Sequence, residues 1–270
     1  MASIPGRVSD RLSVGLKKFQ PITQSAKQRD VNESDTVIIV TDMLSELFGY
    51  DKYAEITSEF AIRGTYCDLA TKIDGHVQCI IEVKAAGTEL KENHTKQAVD
   101  YAANQGVDWV ALTNGSVWKV YKVNFTKPVC QELVLEFDIL SLNPKKSEDV
   151  DCLFLVAREG FIRSALGEFS EQRQALNRFF IAATVLTDPV LDVVRRELRR
   201  MSPDVKIDTD QIRSVLFQEV LKRDVIEGEK ADEARKKVAR AANRALKAKA
   251  AAAGNDEQGS SDENNHTSAS

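Results

Sequence analysis

The stretch YCDLATKIDGHVQCIIEVKA, residues 66–85, alternates apolar and polar side chains with a period of two and is interrupted once, at Asp74-Gly75. Odd positions carry Cys67, Leu69, Thr71, Ile73, Val77, Cys79, Ile81 and Val83; even positions carry Tyr66, Asp68, Ala70, Lys72, Gln78, Ile80, Glu82 and Lys84. That period marks strands buried on one face only, and Asp-Gly between two such runs marks a hairpin. The chain must therefore build a sheet with one apolar side, and Asp68, Glu82 and Lys84 belong to the other side.

Register decides whether the two carboxylates meet. Directly paired residues share a face, so a two-residue turn at Asp74-Gly75 would pair position 68 with 81 and set Asp68 and Glu82 on opposite faces. A three-residue loop, Ile73-Asp74-Gly75 with Gly75 left-handed and a G1 bulge, pairs even with even and brings them together. The odd loop is the expectation, because it also keeps both apolar faces on one side of the hairpin.

Carboxylates brought together repel, and a hard divalent cation relieves the repulsion. Mg²⁺ binds through one or two carboxylates, keeps several waters and accepts phosphate oxygens, so Asp68 and Glu82 would supply half a site whose other half is substrate. Lys84, two residues from Glu82 on the same face, can orient a water or hold a phosphate, which describes metal-assisted phosphodiester hydrolysis. The alternative is a surface ion pair of Lys84 with Asp68 or Glu82.

Helical patterns flank this unit. Val37, Val40, Leu44 and Leu47 recur at steps of three and four before Gly49, which predicts an amphipathic helix beginning at about 32. Glu33 is in phase with that stripe, either to complement the helix N-terminus or to serve near the metal. A second helix is expected over 90–104, where Gln97 and Tyr101 share a face beside Thr95, Ala98 and Ala102 and either border the core or attend the site. WVALT and SVWKVYKV flank Asn114-Gly115, a second hairpin signal, and ELVLEFDIL reads as a last strand. Trp109 and Trp118 on that hairpin are expected to pack rather than to stack on bases.

NESDT (32–36), FGYD (48–51), RGTYCDLA (63–70), IEVKAAG (81–87), QAVDY (97–101) and TNGSVWKVY (113–121) resemble, in order and spacing, the N-terminal nuclease region of type I restriction enzyme R subunits, a branch of the PD-(D/E)xK nuclease superfamily. The resemblance implies an α/β restriction-endonuclease-like core, a central mixed β-sheet flanked by helices, followed by an α-helical C-terminal region. It further implies Asp68 and Glu82 as metal ligands joined by the Val83 carbonyl, Lys84 as catalytic lysine, Glu33 as the acid of the first helix, and Gln97 and Tyr101 as a pair near metal and DNA. Cys67 stands where the family has proline. The expected activity is that of a Mg²⁺-dependent deoxyribonuclease, with Mn²⁺ as a substitute; the alternative is a non-catalytic nucleic-acid-binding or regulatory module that keeps the fold. No G-x-x-x-x-G-K-[ST] phosphate loop follows, so a stand-alone nuclease of a phage or defence system is expected, or a nuclease subunit whose motor or specificity partner is another chain.

The expected organisation is a flexible arm over 1–30, a nuclease-like domain over 31–142, helices over 150–226, a basic helix over 227–252 and a disordered tail over 253–270. In the helical region the first helix is expected over 159–187, another opening at Asp188-Pro189 and a third after Asp208-Thr209-Asp210. A homodimer through 150–225 is expected by analogy with enzymes that cut both strands. Net charge is −4, yet ARKKVARAANRALKAKA at 234–250 carries seven basic and no acidic residues. Lys236, Arg240, Arg244 and Lys247 would line one side of a helix, as a salt-dependent phosphate contact or merely as a solvated face. His94, within one turn of Gln97, is either a phosphate contact or a surface residue. The four cysteines lack metal-ligand spacing and are expected to be inert thiols. No apolar run reaches the length of a bilayer span, so no membrane association and a cytoplasmic location are expected.

Overall fold

The computed structural model describes residues 3–62 and 65–259, with the side chains of 59–66 and 245–259 outside the description. The chain divides into two compact units, Met1–Ser170 and Glu171–Ser270.

The first unit is built on a six-stranded sheet, β1 (Ile56–Ile62), β2 (Thr65–Ile73), β3 (His76–Val83), β4 (Trp109–Thr113), β5 (Val117–Asn124) and β6 (Cys130–Asp138), in that spatial order. Around it run helices α1 (Gly6–Gln28), α2 (Glu33–Asp42), α3 (Lys96–Gln105), α4 (Ser147–Phe154), α5 (Arg158–Ile162) and α6 (Ala165–Ala175). Only β3 and β4 pair in parallel, because the chain crosses between them through α3; every other pair is antiparallel. This is the expected mixed sheet flanked by helices, an α/β architecture consistent with a restriction-endonuclease-like core.

The two sheet faces are covered differently. Leu69, Ile73, Cys79, Ile81, Val83 and Trp118 pack into one cluster with Leu12, Leu16 and Phe19 of α1, Val40 of α2 and Leu153 and Phe154 of α4. Trp118 meets Phe48 edge-on at 5.2 Å and Phe137 at 6.3 Å, in the packing role expected of it. On the other face α3 lays Ala98, Tyr101 and Ala102 over Ala70, Ile80, Val110 and Val123.

Several expectations are corrected. The arm over 1–30 is instead largely α1, whose Val8, Leu12, Leu16, Phe19, Thr23 and Ala26 form one buried stripe. Pro5 caps the helix start and Pro21 lies inside it, at the cost of one backbone donor; burial of the stripe outweighs that loss. At Gly15 α1 packs tightly on the end of the next helix, since a Cβ there would stand 2.8 Å from Leu47 Cδ1. The expected first helix is α2 extended by a π turn over Met43–Leu47, and it stops at Gly49 with φ +83°. The expected second helix opens as a 3₁₀ turn, Glu92–Thr95, where His94 Nδ1 accepts the Lys91 N–H at 3.3 Å, before α3 ends at left-handed Gly106. The helix expected over 159–187 is three pieces, broken at Ser164 (φ 55°) and capped anew by Asn177.

In the second unit α7 (Arg178–Val185), α8 (Asp188–Met201), α9 (Thr209–Val215), α10 (Arg223–Ile226) and α11 (Glu229–Gly259) follow one another. Pro189 opens α8, and Asp208 with Gln211 forms a capping box for α9. Helix α11 is longer than the expected basic helix, reaching Gly259; residues 260–270 of the expected tail and the Lys247 side chain lie outside the described residues. All four cysteines are free; Cys67 and Cys79 are buried and Cys130 is exposed. Among the described residues no helix is long and apolar enough to cross a membrane.

Candidate active site at the end of the β2–β3 hairpin

The hairpin reaches the expected pairing by a different route. Asp74 (φ 51°) and Gly75 (φ 79°) form a two-residue turn, with Ile73 opposite His76 and Lys72 opposite Val77. Both central residues at positive φ is the I′ pattern that matches strand twist, where the three-residue loop had been expected. That turn alone would have separated the carboxylates. The register then shifts: Thr71 pairs with Cys79, Ala70 with Ile80 and Leu69 with Ile81, so Gln78 is an extra residue on β3. One bulge reverses the parity. Carried one residue further, the same register sets Asp68 opposite Glu82 on the face covered by α3.

The Val83 N–H donates to Asp68 Oδ2 at 2.7 Å, which fixes that carboxylate across the strand pair. Lys84 Nζ donates to Glu82 Oε1 at 2.8 Å and to Glu33 Oε2 at 3.3 Å. Backbone bonds hold this arrangement: the Lys84 N–H donates to Thr113 O at 2.8 Å, and the Ala86 N–H to Val31 O at 3.0 Å, tying the exit of β3 to the entry of α2. Asn32 caps α2 by accepting the Asp35 N–H, and Glu33 stands in the first turn, so it complements the helix N-terminus and also reaches Lys84.

Glu82 is only 8% exposed and Asp68 half-buried. Burial pushes both carboxyls above the usual carboxylate range; for Asp68 the Val83 N–H and Lys84 oppose it, and for Glu82 the Lys84 bond opposes it while Asp68 adds to it. Burial pulls the Lys84 ammonium down, but Glu82, Glu33 and Asp68 outweigh burial and leave it raised. The ammonium is thus held as a donor to Glu82 and Glu33. Gln97 Nε2 donates to the Tyr101 hydroxyl, and Tyr101, 5% exposed, packs with Cys67, Ala70 and Ile80 beside the two carboxylate positions.

Asp68, Glu82, Lys84 and Glu33 are thus gathered at one strand end, with Gln97 and Tyr101 paired on the helix over the same face. The Val83 amide, which orients Asp68, was not anticipated; a backbone group leaves no sequence signal. Among the described residues no group of three or more His, Cys, Asp and Glu side chains forms a metal cluster. Two carboxylates and a backbone carbonyl make a sparse, hard oxygen donor set, the kind Mg²⁺ completes with water and phosphate oxygens.

No curated protein and no solved structure matches the chain. A family model matches the stretch that holds Asp68, Glu82, Lys84, Gln97 and Tyr101 and leaves out Glu33: residues 38–134 match the nuclease-related type I restriction enzyme R protein N terminus, the family that the motifs resemble.

Proposed function

We propose that the first unit is a Mg²⁺-dependent nuclease that hydrolyses DNA phosphodiester bonds. The observation that carries this reading is the bulge-set pairing that puts Asp68 and Glu82 on one face, with Lys84 Nζ 2.8 Å from Glu82. Asp68, Glu82 and the Val83 carbonyl would hold the cation, with Mn²⁺ as a substitute. A bound Mg²⁺ would acidify water and offset charge developing on the phosphate.

The chain's own groups divide the remaining work. Asp68 is presented at a fixed angle by the Val83 amide. Lys84, charged and bonded to two acids, donates hydrogen bonds to the attacking water or to a non-bridging phosphate oxygen. Glu33 keeps the ammonium in place from the helix side. Gln97, bonded to the Tyr101 hydroxyl, offers an amide toward the substrate side, while buried Tyr101 anchors it.

Plasmid, single-stranded DNA and RNA incubated with the protein and Mg²⁺, Mn²⁺ or EDTA give the test, beside Asp68→Ala and Lys84→Ala. Metal-dependent cleavage of DNA, lost in both variants, is expected. Equal activity in the wild type and both variants would falsify the site, and folded but inactive wild-type protein would favour the non-catalytic module. Any homodimer, and any separate motor or specificity subunit, is a further proposal, testable by sizing the protein alone and with candidate partners.

A further inference from the structure

We infer that the second unit carries a sequence-blind docking surface for the phosphodiester backbone of duplex DNA, built on Arg196 and Arg199 of α8 with a second row, Lys236, Arg240 and Arg244, on α11. The inference goes beyond the nuclease reading, because it concerns residues outside 38–134 and needs no cleavage.

Asp192, Arg195, Arg196 and Arg199 fall at helical steps of three, one and three and line an open cavity of about 260 Å³. Leu191 of α8 is fully buried, whereas Arg196 and Arg199 are exposed. Asp192 neutralises Arg195 at 2.8 Å, and Glu197 neutralises Arg200 at 2.9 Å. Arg199 donates only to a carbonyl, Ile207 O at 3.0 Å, and Arg196 has no hydrogen-bond or ion-pair partner among the described residues. Two full positive charges therefore remain on exposed guanidiniums one turn apart.

Helix α11 repeats the pattern. Ala231 and Ala234 are buried, and the helix packs against α7, with the Lys237 ammonium over the Phe180 ring. Lys236, Arg240 and Arg244, at steps of four, are exposed and have no acidic partner among the described residues.

Charge spacing selects the occupant. A row of cations repeating every four residues recurs about every 6 Å along a helix, a length over which a duplex presents three or four phosphates. An isolated anion would use one turn of such a row and leave the rest idle. Arginine also forks onto phosphate oxygens without reading bases, so the surface is sequence-blind.

The test measures binding of a labelled duplex to the full chain in EDTA, so that cleavage cannot intervene, across a salt series. Arg196→Gln/Arg199→Gln is expected to reduce the slope of log affinity against log salt by about 2 and to weaken binding ~10-fold near 0.1 M salt. Arg196→Lys/Arg199→Lys keeps most of the slope. Lys145→Gln/Lys146→Gln removes equal charge from the first unit and is expected to change neither. The α11 triple Gln variant lowers the slope by about 3. Circular dichroism verifies folding of each variant. The inference is overturned if the α8 glutamine variant, helical content intact, binds like wild type, if the control loses as much, or if poly-glutamate of equal charge binds as tightly as duplex. Asp68→Ala, assayed for cleavage in Mg²⁺ and for binding in the same EDTA series, separates the two readings: loss of cleavage without loss of this slope leaves both standing, and a wild type that does not cleave in Mg²⁺ but keeps the slope removes only the nuclease.

Discussion

Two glutamates of the first unit are shielded from water and each contacts a strong base, yet their carboxyls respond in opposite ways. Glu159, on α5, receives Arg11 Nη1 at 2.7 Å and Nη2 at 2.6 Å; burial works against its charge, but the Arg11 fork, with Arg158 nearby, outweighs it and holds the carboxyl below the usual range. Glu82 receives Lys84 at 2.8 Å, yet its carboxyl is pushed up, because burial there is deeper and Asp68 and Glu33 add negative charge. One Lys84 ammonium is shared by two acids from two elements, Glu82 of β3 and Glu33 of α2, whereas Arg11 forks onto one carboxylate and also donates to Leu47 O and Phe48 O. The first arrangement leaves negative charge uncompensated at a strand end, and the second closes a seam between helices. Proximity of opposite charges is thus not what separates a site from a strut; the local charge balance is.

The largest way to sharpen the contrast is Glu82→Gln. It keeps shape while removing a charge that destabilises its surroundings, so cleavage is expected to fall by about 10³-fold, ~4 kcal/mol of transition-state stabilisation, while the denaturation midpoint holds or rises. A matching loss of stability would erase the distinction from Glu159.

Glu159→Gln should behave in the reverse sense, with cleavage kept and stability lowered by about 1–3 kcal/mol at neutral pH, since Arg11 is left with a weaker acceptor. The sign with pH follows from the lowered carboxyl. A group whose folded value lies below its unfolded one, about 4.3, contributes fully above the unfolded value and loses that contribution as pH falls through the folded value. Thermal melts of wild type and variant should therefore differ at pH 7 and converge as pH falls from the unfolded value through the lowered folded one; a gap that persists in stronger acid would assign the effect to packing.

Much of the strand grammar was legible. Alternation over 66–85 placed Leu69 and Ile81 on the core side and Asp68 and Glu82 on the other; the phase of Glu33 with Val40 and Leu44 turned it toward the sheet but did not name Lys84 as its partner. What escaped the sequence was set by tertiary packing. Pro5 and Pro21 concealed α1, although Leu12, Leu16 and Phe19 already carried a helical stripe that gains its stability only against the Met43–Leu47 turn, α4 and the sheet. The Ser164 break carries no glycine or proline to announce it. Gln78 is an ordinary strand residue, so nothing in its identity shows that it bulges.

That bulge gives the smallest effect and the closest test of how the site is assembled. Deleting Gln78 leaves Ile73 opposite His76 and Lys72 opposite Val77, and lets Cys79 follow directly against Thr71, so the pairs from Ala70 and Ile80 onward keep their partners. Asp68 would still face Glu82, with the two-residue turn and parity now in agreement without a bulge. Loss of an unpaired strand residue changes local twist, and surface changes of this kind stay within about 1 kcal/mol, so the variant is expected to fold near wild-type stability and to cleave within a few-fold. Deleting Ile80 instead moves Glu82 and Lys84 one step along β2 and turns them to the apolar face, where charged side chains cannot be solvated, so folding and cleavage should fail together. If the Gln78 deletion abolished cleavage in a folded protein, the bend made by the bulge, and not register alone, would be what aims Glu82 at Asp68.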